Sequence, residues 1–194
     1  MLVREHLNHW YSLKAYYVAK TLADIPFQFV FPTLYLVIVY MMTNQPMDLQ
    51  RFGMLLGITI CTSLVAQGIG LLVGAACNIQ VAVFIAPAAA IPFLLFSGFF
   101  INMHAIPAYM GWICYVSFMR YGFEGSMVSI YGYDREHLSC SEQYCHFRNA
   151  SKFLQQFDFA ESTYYWPVVG LLVIFIVIRV AGYFVLRFKL RHVR

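Results

Sequence analysis

Cys140 and Cys145 stand five residues apart in a polar stretch, and His146 follows directly. A cysteine beside a histidine is a possible metal fragment, but a second cysteine so near favours a disulfide that closes a small loop. The other histidines, at 6, 9, 104, 137 and 192, are scattered, and no metal site is expected. Cys61, Cys77 and Cys114 lie among apolar neighbours and read as packing residues rather than nucleophiles. No G-x-x-x-x-G-K-S/T phosphate loop occurs, so this chain cannot hydrolyse a nucleotide by that route. Nor can a Ser-His-Asp or paired-carboxylate arrangement be assembled on one side of a membrane. The chain alone offers no enzyme active site and no cofactor site.

The stretch from Ile91 to Phe100, Ile-Pro-Phe-Leu-Leu-Phe-Ser-Gly-Phe-Phe, offers a different kind of chemistry. Pro92 frees the carbonyl of Ala88, and Gly98 admits a close neighbour just before two bulky rings. Adjacent Phe99 and Phe100, at the outer end of a kinked span, could close a hydrophobic path and open it by small helix shifts. Filling a helix interface is the plainer use of the same rings. At the other end, Arg4 to Tyr11 places Leu7, Trp10 and Tyr11 on one helical face and charges on the other. That suits a helix at the cytoplasmic interface, either a passive anchor or the receiver of a push from a soluble partner. Leu13, Tyr16 and Lys20, and again Val180, Tyr183 and Arg187, fit the loose pattern proposed for cholesterol contact, which many membrane termini match by chance.

The elements that must position these residues are membrane helices. From Phe52 to Met119 there are 68 residues without a Lys, Arg, Asp or Glu, far too much apolar helix for a soluble core. Hydrophobic residues make up 61% and charged ones 11%, against roughly 25% charged in a soluble domain, so the whole chain is adapted to lipid. The spans expected are 23–42, 52–76, 81–101 and 166–186. Gly70 and Gly74 form a small-xxx-small face suited to close helix contact. Arg179 is expected to snorkel toward the cytoplasmic surface. Basic residues at both ends, Arg4, Lys14 and Lys20, then Arg187, Lys189, Arg191 and Arg194, place both termini in the cytoplasm. No removable signal peptide is seen. Residues 131–165, with the sequon Asn149-Ala150-Ser151 and the two close cysteines, read as an extracellular loop glycosylated at Asn149. Three crossings put that loop outside, so 106–130, which carries Arg120 and Glu124, reads as re-entrant helices buried against protein. The fold expected is all-α: four transmembrane helices, a re-entrant segment and an outer loop. No nucleic-acid partner is expected, and no ring of charges suggests a pore.

Arg4-Glu5-His6 before an aromatic stretch, Phe96-Ser97-Gly98-Phe99-Phe100 ending a span, and Arg120-Tyr121-Gly122-Phe123-Glu124-Gly125 occur in an order that makes the chain recognisable. It resembles the C-terminal part of the membrane domain of G-subfamily ATP-binding cassette half-transporters. The likeness looks closest to the sterol- and phospholipid-exporting branch, rather than the eye-pigment or multidrug branches. The resemblance implies a partial ABC-2-type membrane domain that supplies helices three to six. The nucleotide-binding domain, which would hold ATP and Mg, and the first two helices would be missing, as in a partial gene model or a truncated isoform. It also implies a second half-transporter as partner, in a homodimer or heterodimer, a membrane lipid as substrate, and a plasma or endosomal membrane. Glu5, His6, Trp10 and Tyr11 would then lie in the coupling segment, 1–20, that takes the stroke from the nucleotide-binding domain. Ile91 and Leu94 would face the substrate cavity, Phe99 and Phe100 would form a valve above it, and the loop with Cys140 and Cys145 would cap the exit. The competing expectation is a non-transporting chain that pairs with full-length half-transporters and regulates them.

Overall fold

A computed structural model describes residues 12–101, 107–133, 135, 149–159 and 162–192, and the regular elements among them are helices. Helix α1, Leu13–Met42, starts where the Ser12 side chain accepts the Ala15 N–H at 3.3 Å. It continues through Pro26 and Pro32, so one 30-residue helix covers both the end of the expected interfacial segment and the whole first span. Pro26 and Pro32 leave the carbonyls of Leu22 and Gln28 without their usual N–H donors, which a membrane helix tolerates where neighbouring groups can satisfy them. The helix closes at Thr43, and Asn44, with φ at 50°, turns the chain toward α2, Leu49–Ala76.

Helix α2 is the hub. It packs against α1, against α5 (Phe118–Tyr131) and against the last helix, α7 (Tyr165–His192), and also touches α3 (Ile79–Leu95). The core at this hub joins Leu36 and Tyr40 of α1, Leu55, Ile58 and Val65 of α2, Phe118 of α5 and Leu171 of α7. Helices α1, α2 and α7 are long and apolar enough to cross a bilayer, with mean hydropathies of 1.7, 1.9 and 2.6 over their best windows. The expected span 81–101 is cut short. Helix α3 has 17 residues, a length of about 25 Å against a hydrocarbon thickness of about 30 Å. After the last α-helical bond, from the Phe96 N–H to the Pro92 carbonyl, the Ser97 N–H tightens onto Leu94 three residues back, and Gly98 then takes φ of 91°, a left-handed conformation that favours glycine.

The segment expected to re-enter, 106–130, is broken. After a short 3-10 turn at Ala108–Met110 come α4, Gly111–Val116, and α5, separated by Ser117 in an extended conformation. Two glycines let α5 press into α2. A Cβ on Gly122 would stand 2.7 Å from the Thr62 hydroxyl oxygen, and one on Gly125 would stand 2.5 Å from the Ile58 side chain. The small-xxx-small pair read from the sequence, Gly70 and Gly74, makes no such contact, since a Cβ at either would meet nothing within 4 Å. Small residues permit close approach but do not say which helix approaches.

The far end of α5 is fastened by charge. The guanidinium of Arg51 donates to the carbonyls of Ile130 (3.3 Å), Gly132 (2.8 Å) and Tyr133 (2.9 Å), and its Nε pairs with Asp48 at 3.2 Å. Arg135 adds a bond to the Ile130 carbonyl at 3.0 Å and reaches Gln45 at 2.9 Å. A cation at a helix C-terminus satisfies orphan carbonyls and matches the helix dipole. The turn after α1 and the end of α5 are thereby tied together. Helix α6, Ala150–Gln156, then packs beside α5 through Leu154 and Val128.

Candidate functional site

Four helices leave a groove of about 880 Å³ between them. Phe27, Gln28 and Phe31 of α1 form one wall, and Thr59, Thr62 and Ser63 of α2 form the floor. Leu94, Ser97, Phe99 and Phe100 come from the end of α3, while Gly122 and Phe123 come from α5. The surface is mainly apolar with a few hydroxyls and one amide. Gln28 and Ser63 are hydrogen-bonded to each other across it, which joins α1 to α2 at mid-depth.

The end of α3 is shaped by its own orphan carbonyls. The Ser97 hydroxyl turns back to the Leu94 carbonyl at 2.7 Å, and the Ser117 hydroxyl, at the break between α4 and α5, donates to the Phe93 carbonyl at 2.8 Å. The left-handed Gly98 then sends the chain sideways, so Phe99 and Phe100 sit on a turn just beyond the helix rather than on its last turn. Their rings meet edge to face at 4.9 Å between centroids. Phe99 also meets Phe123 at 5.7 Å, and Phe123 meets Phe157 at 5.5 Å and Phe159 at 5.7 Å, all edge to face. A chain of rings therefore leads from the groove to the segment beyond α6. Edge-to-face pairs of this kind contribute about 0.5–1.5 kcal/mol each beyond burial.

Of the residues singled out from the sequence, Leu94, Phe99 and Phe100 are brought together on the groove. Ile91 does not line it and is 60% exposed. Asn149 stands at the N-cap position of α6, without a side-chain capping bond, and lines a separate cavity of about 420 Å³ beside Tyr131 and Arg135, with Ala150 buried and Ser151 exposed. Glu5, His6, Trp10, Tyr11, Cys140 and Cys145 lie outside the described residues. Phe123 is the residue that sequence reasoning missed. It sits inside a recognised run, but nothing in one sequence shows which ring bridges two others.

Arg179 corrects an expectation. Its side chain turns inward between helices instead of snorkelling: Nη1 donates to Thr21 at 3.3 Å, Nη2 to Gln67 at 3.1 Å, and the guanidinium lies over the Phe175 ring at 5.0 Å. The Tyr17 hydroxyl donates to the Arg179 carbonyl at 2.9 Å. Polar partners on α1 and α2 at the right depth outcompete the walk to the surface. Glu124, likewise, is buried, 8% exposed.

Long apolar helices around a central span, with an aromatic-ended groove between them, describe a membrane domain. The profile of the ABC-2 type transporter family matches residues 1–131, and the chain belongs to that family. It is 27% identical over 195 residues to Protein white of Drosophila melanogaster, covering 99% of this chain and 28% of that protein. It is 30% identical over 188 residues to ABC transporter G family member 21 of Arabidopsis thaliana, covering 96% and 27%. With the ABC transporter ATP-binding protein/permease wht-1 of Caenorhabditis elegans it shares 29% over 192 residues, covering 94% and 28%. The chain spans less than a third of the length of these relatives.

Proposed function

We propose that this chain is the membrane-spanning part of an ATP-driven lipid exporter, and that the groove ending at Phe99 and Phe100 is its part of the substrate path. The observation that supports the reading is the groove itself: mainly apolar, about 880 Å³, and lined by two rings packed edge to face. A sterol or phospholipid entering between α1 and α3 would meet Phe27, Phe31 and Leu94 before the phenylalanine pair. A flat sterol ring suits passage between aromatic faces. Both termini lie in the cytoplasm in this reading, because Lys14 and Lys20 begin α1 while Arg187 and Lys189 end α7. The loop bearing Asn149 then faces outside and is glycosylated there, and 106–130 dips into the outer leaflet and returns.

ATP and Mg would bind a nucleotide-binding domain outside this chain and supply the free energy. Its stroke would enter through the segment with Glu5, His6, Trp10 and Tyr11, directly ahead of α1. A second half-transporter would complete the cavity, and Cys140 and Cys145 would close a small loop at its exit. In the full-length protein, Phe99→Ala with Phe100→Ala should lower export of labelled sterol or phospholipid from cells while surface expression is retained. Unchanged export at equal surface expression would overturn the valve.

A further inference from the structure

Away from the groove, α1, α2 and α7 enclose a second space at the end of the bundle that carries Lys20 and Lys189. It is a slot of about 270 Å³, lined by Tyr17, Lys20, Gly70, Gly74, Gly182 and Leu186. The space exists because α2 presents bare backbone there, with nothing within 4 Å of where a Cβ on Gly70 or Gly74 would lie. Its interior is mainly apolar, and its rim is cationic. Lys20 uses one donor on Asp24 at 3.3 Å, and Lys189 uses one on the carbonyl of Ala75, a residue lining the slot, at 2.8 Å. An ammonium has three donors, so each retains two.

Among the described residues, the charge balance at this end is one-sided. Lys14, Lys20, Arg179, Arg187 and Lys189 face a single acid, Asp24, which is the only Asp or Glu anywhere on α1, α2 and α7. Arg179 is bonded to Thr21, which lines the slot, and to Gln67, both of them neutral acceptors. An uncompensated guanidinium at the edge of a low-dielectric region raises the local potential and favours an anion nearby.

We propose that the slot binds one anionic phospholipid of the inner leaflet, with an acyl chain along the bare Gly70–Gly74 face and the phosphate at the Lys20 and Lys189 rim. The assignment rests on the cytoplasmic placement of this end given above. It does not rest on the groove or on transport. The lipid is a resident that fastens α1 to α7 where the two leave the membrane, distinct from anything moving past Phe99.

The test uses the full-length transporter in nanodiscs of phosphatidylcholine, doped with phosphatidylserine or with cholesterol, and counts retained lipids by native mass spectrometry. Phosphatidylserine should be retained over phosphatidylcholine. Lys20→Gln with Lys189→Gln should weaken that retention about tenfold, the effect of removing two basic side chains at an anionic surface when one is partly answered by an acid. Gly70→Leu with Gly74→Leu keeps every charge but fills the slot, and should abolish retention as well. Should the leucine variant lose monodisperse elution, the lysine variant decides alone. Equal retention of the two phospholipids, retention untouched by the lysine changes, displacement by inorganic phosphate, or preferential capture of cholesterol would each overturn the proposal. Lipid export is not the readout, so failure here is separable from failure of the exporter reading.

Discussion

Replacing Gly125 by alanine tests the close approach of α5 to α2. The added methyl would stand 2.5 Å from both Cγ1 and Cδ1 of Ile58, where carbon atoms prefer about 3.5–4.0 Å. Ile58 is fully buried at 0% exposure and lies in the core with Val65, Phe118 and Leu171, so it has no empty volume to swing into. A clash of this size belongs near the top of the overpacking range, about 3 kcal/mol. Alanine regains about 0.5–1 kcal/mol over glycine in a helix, which leaves a net loss of about 2 kcal/mol, or roughly thirtyfold in the folded-to-unfolded ratio. Thermal retention of monodisperse, fluorescently tagged full-length protein measures it. The clash also predicts non-additivity. Ile58→Ala alone costs about 2–5 kcal/mol through its cavity, yet the double variant should lie at least 1 kcal/mol above the sum, because the methyl fills space that Ile58 vacates. Gly74→Ala, with nothing within 4 Å of its Cβ, is the internal control and should be neutral or slightly stabilising. Stability equal to wild type for Gly125→Ala, or strict additivity with Ile58→Ala, would refute the packing argument.

Arg51→Ala should cost about 2–3 kcal/mol in the same assay, since it strands the carbonyls of Gly132 and Tyr133, and Arg51→Lys should recover less than half because an ammonium cannot span the three carbonyls. A fully rescued lysine variant would show that charge alone, without the fork, holds α5. Gln67→Leu removes one of the two side-chain acceptors of Arg179 and should cost about 2 kcal/mol, whereas Gln67→Leu with Arg179→Leu should return close to wild type, because the buried charge leaves with its partner. A harmless Gln67→Leu would mean that the guanidinium points elsewhere.

Hydropathy made the membrane character and three of the long helices readable, because a run of 68 residues without charge has no other solvent. The outer end of the third expected span was not readable from apolarity. Ser97 and Gly98 carry the stop, and their effect depends on a hydroxyl satisfying the Leu94 carbonyl and on a left-handed φ, neither of which a hydropathy window registers. The glycines were visible too, but the pair read as a close-contact face, Gly70 and Gly74, is not the pair that makes one within the chain. Gly122 and Gly125 lie where α2 comes to meet them, while Gly70 and Gly74 face open space, a distinction set by tertiary packing. Arg179 shows a related gap, since the pull of Gln67 and Thr21 comes from residues 112 and 158 positions away. Phe99 and Phe100 were singled out from a proline, a glycine and two rings in order, and Leu94 only through the family resemblance; all three lie on the groove. Ile91, one turn before Leu94, stays off the groove and 60% exposed, because the lining begins only at the last turn of α3.

Helix α3 buries none of its described side chains completely, and its firmest ties to its neighbours are the Ser117 hydroxyl on the Phe93 carbonyl and the Phe93 ring against Phe118 at 5.7 Å. The element that brings Leu94 and the phenylalanine pair to the groove thus joins the bundle without a fully buried side chain among its described residues. If the groove is the substrate path proposed above, substitutions at Leu94, Phe99 and Phe100 change what it admits at small cost to the fold, so its lining can vary while the α2 hub stays put.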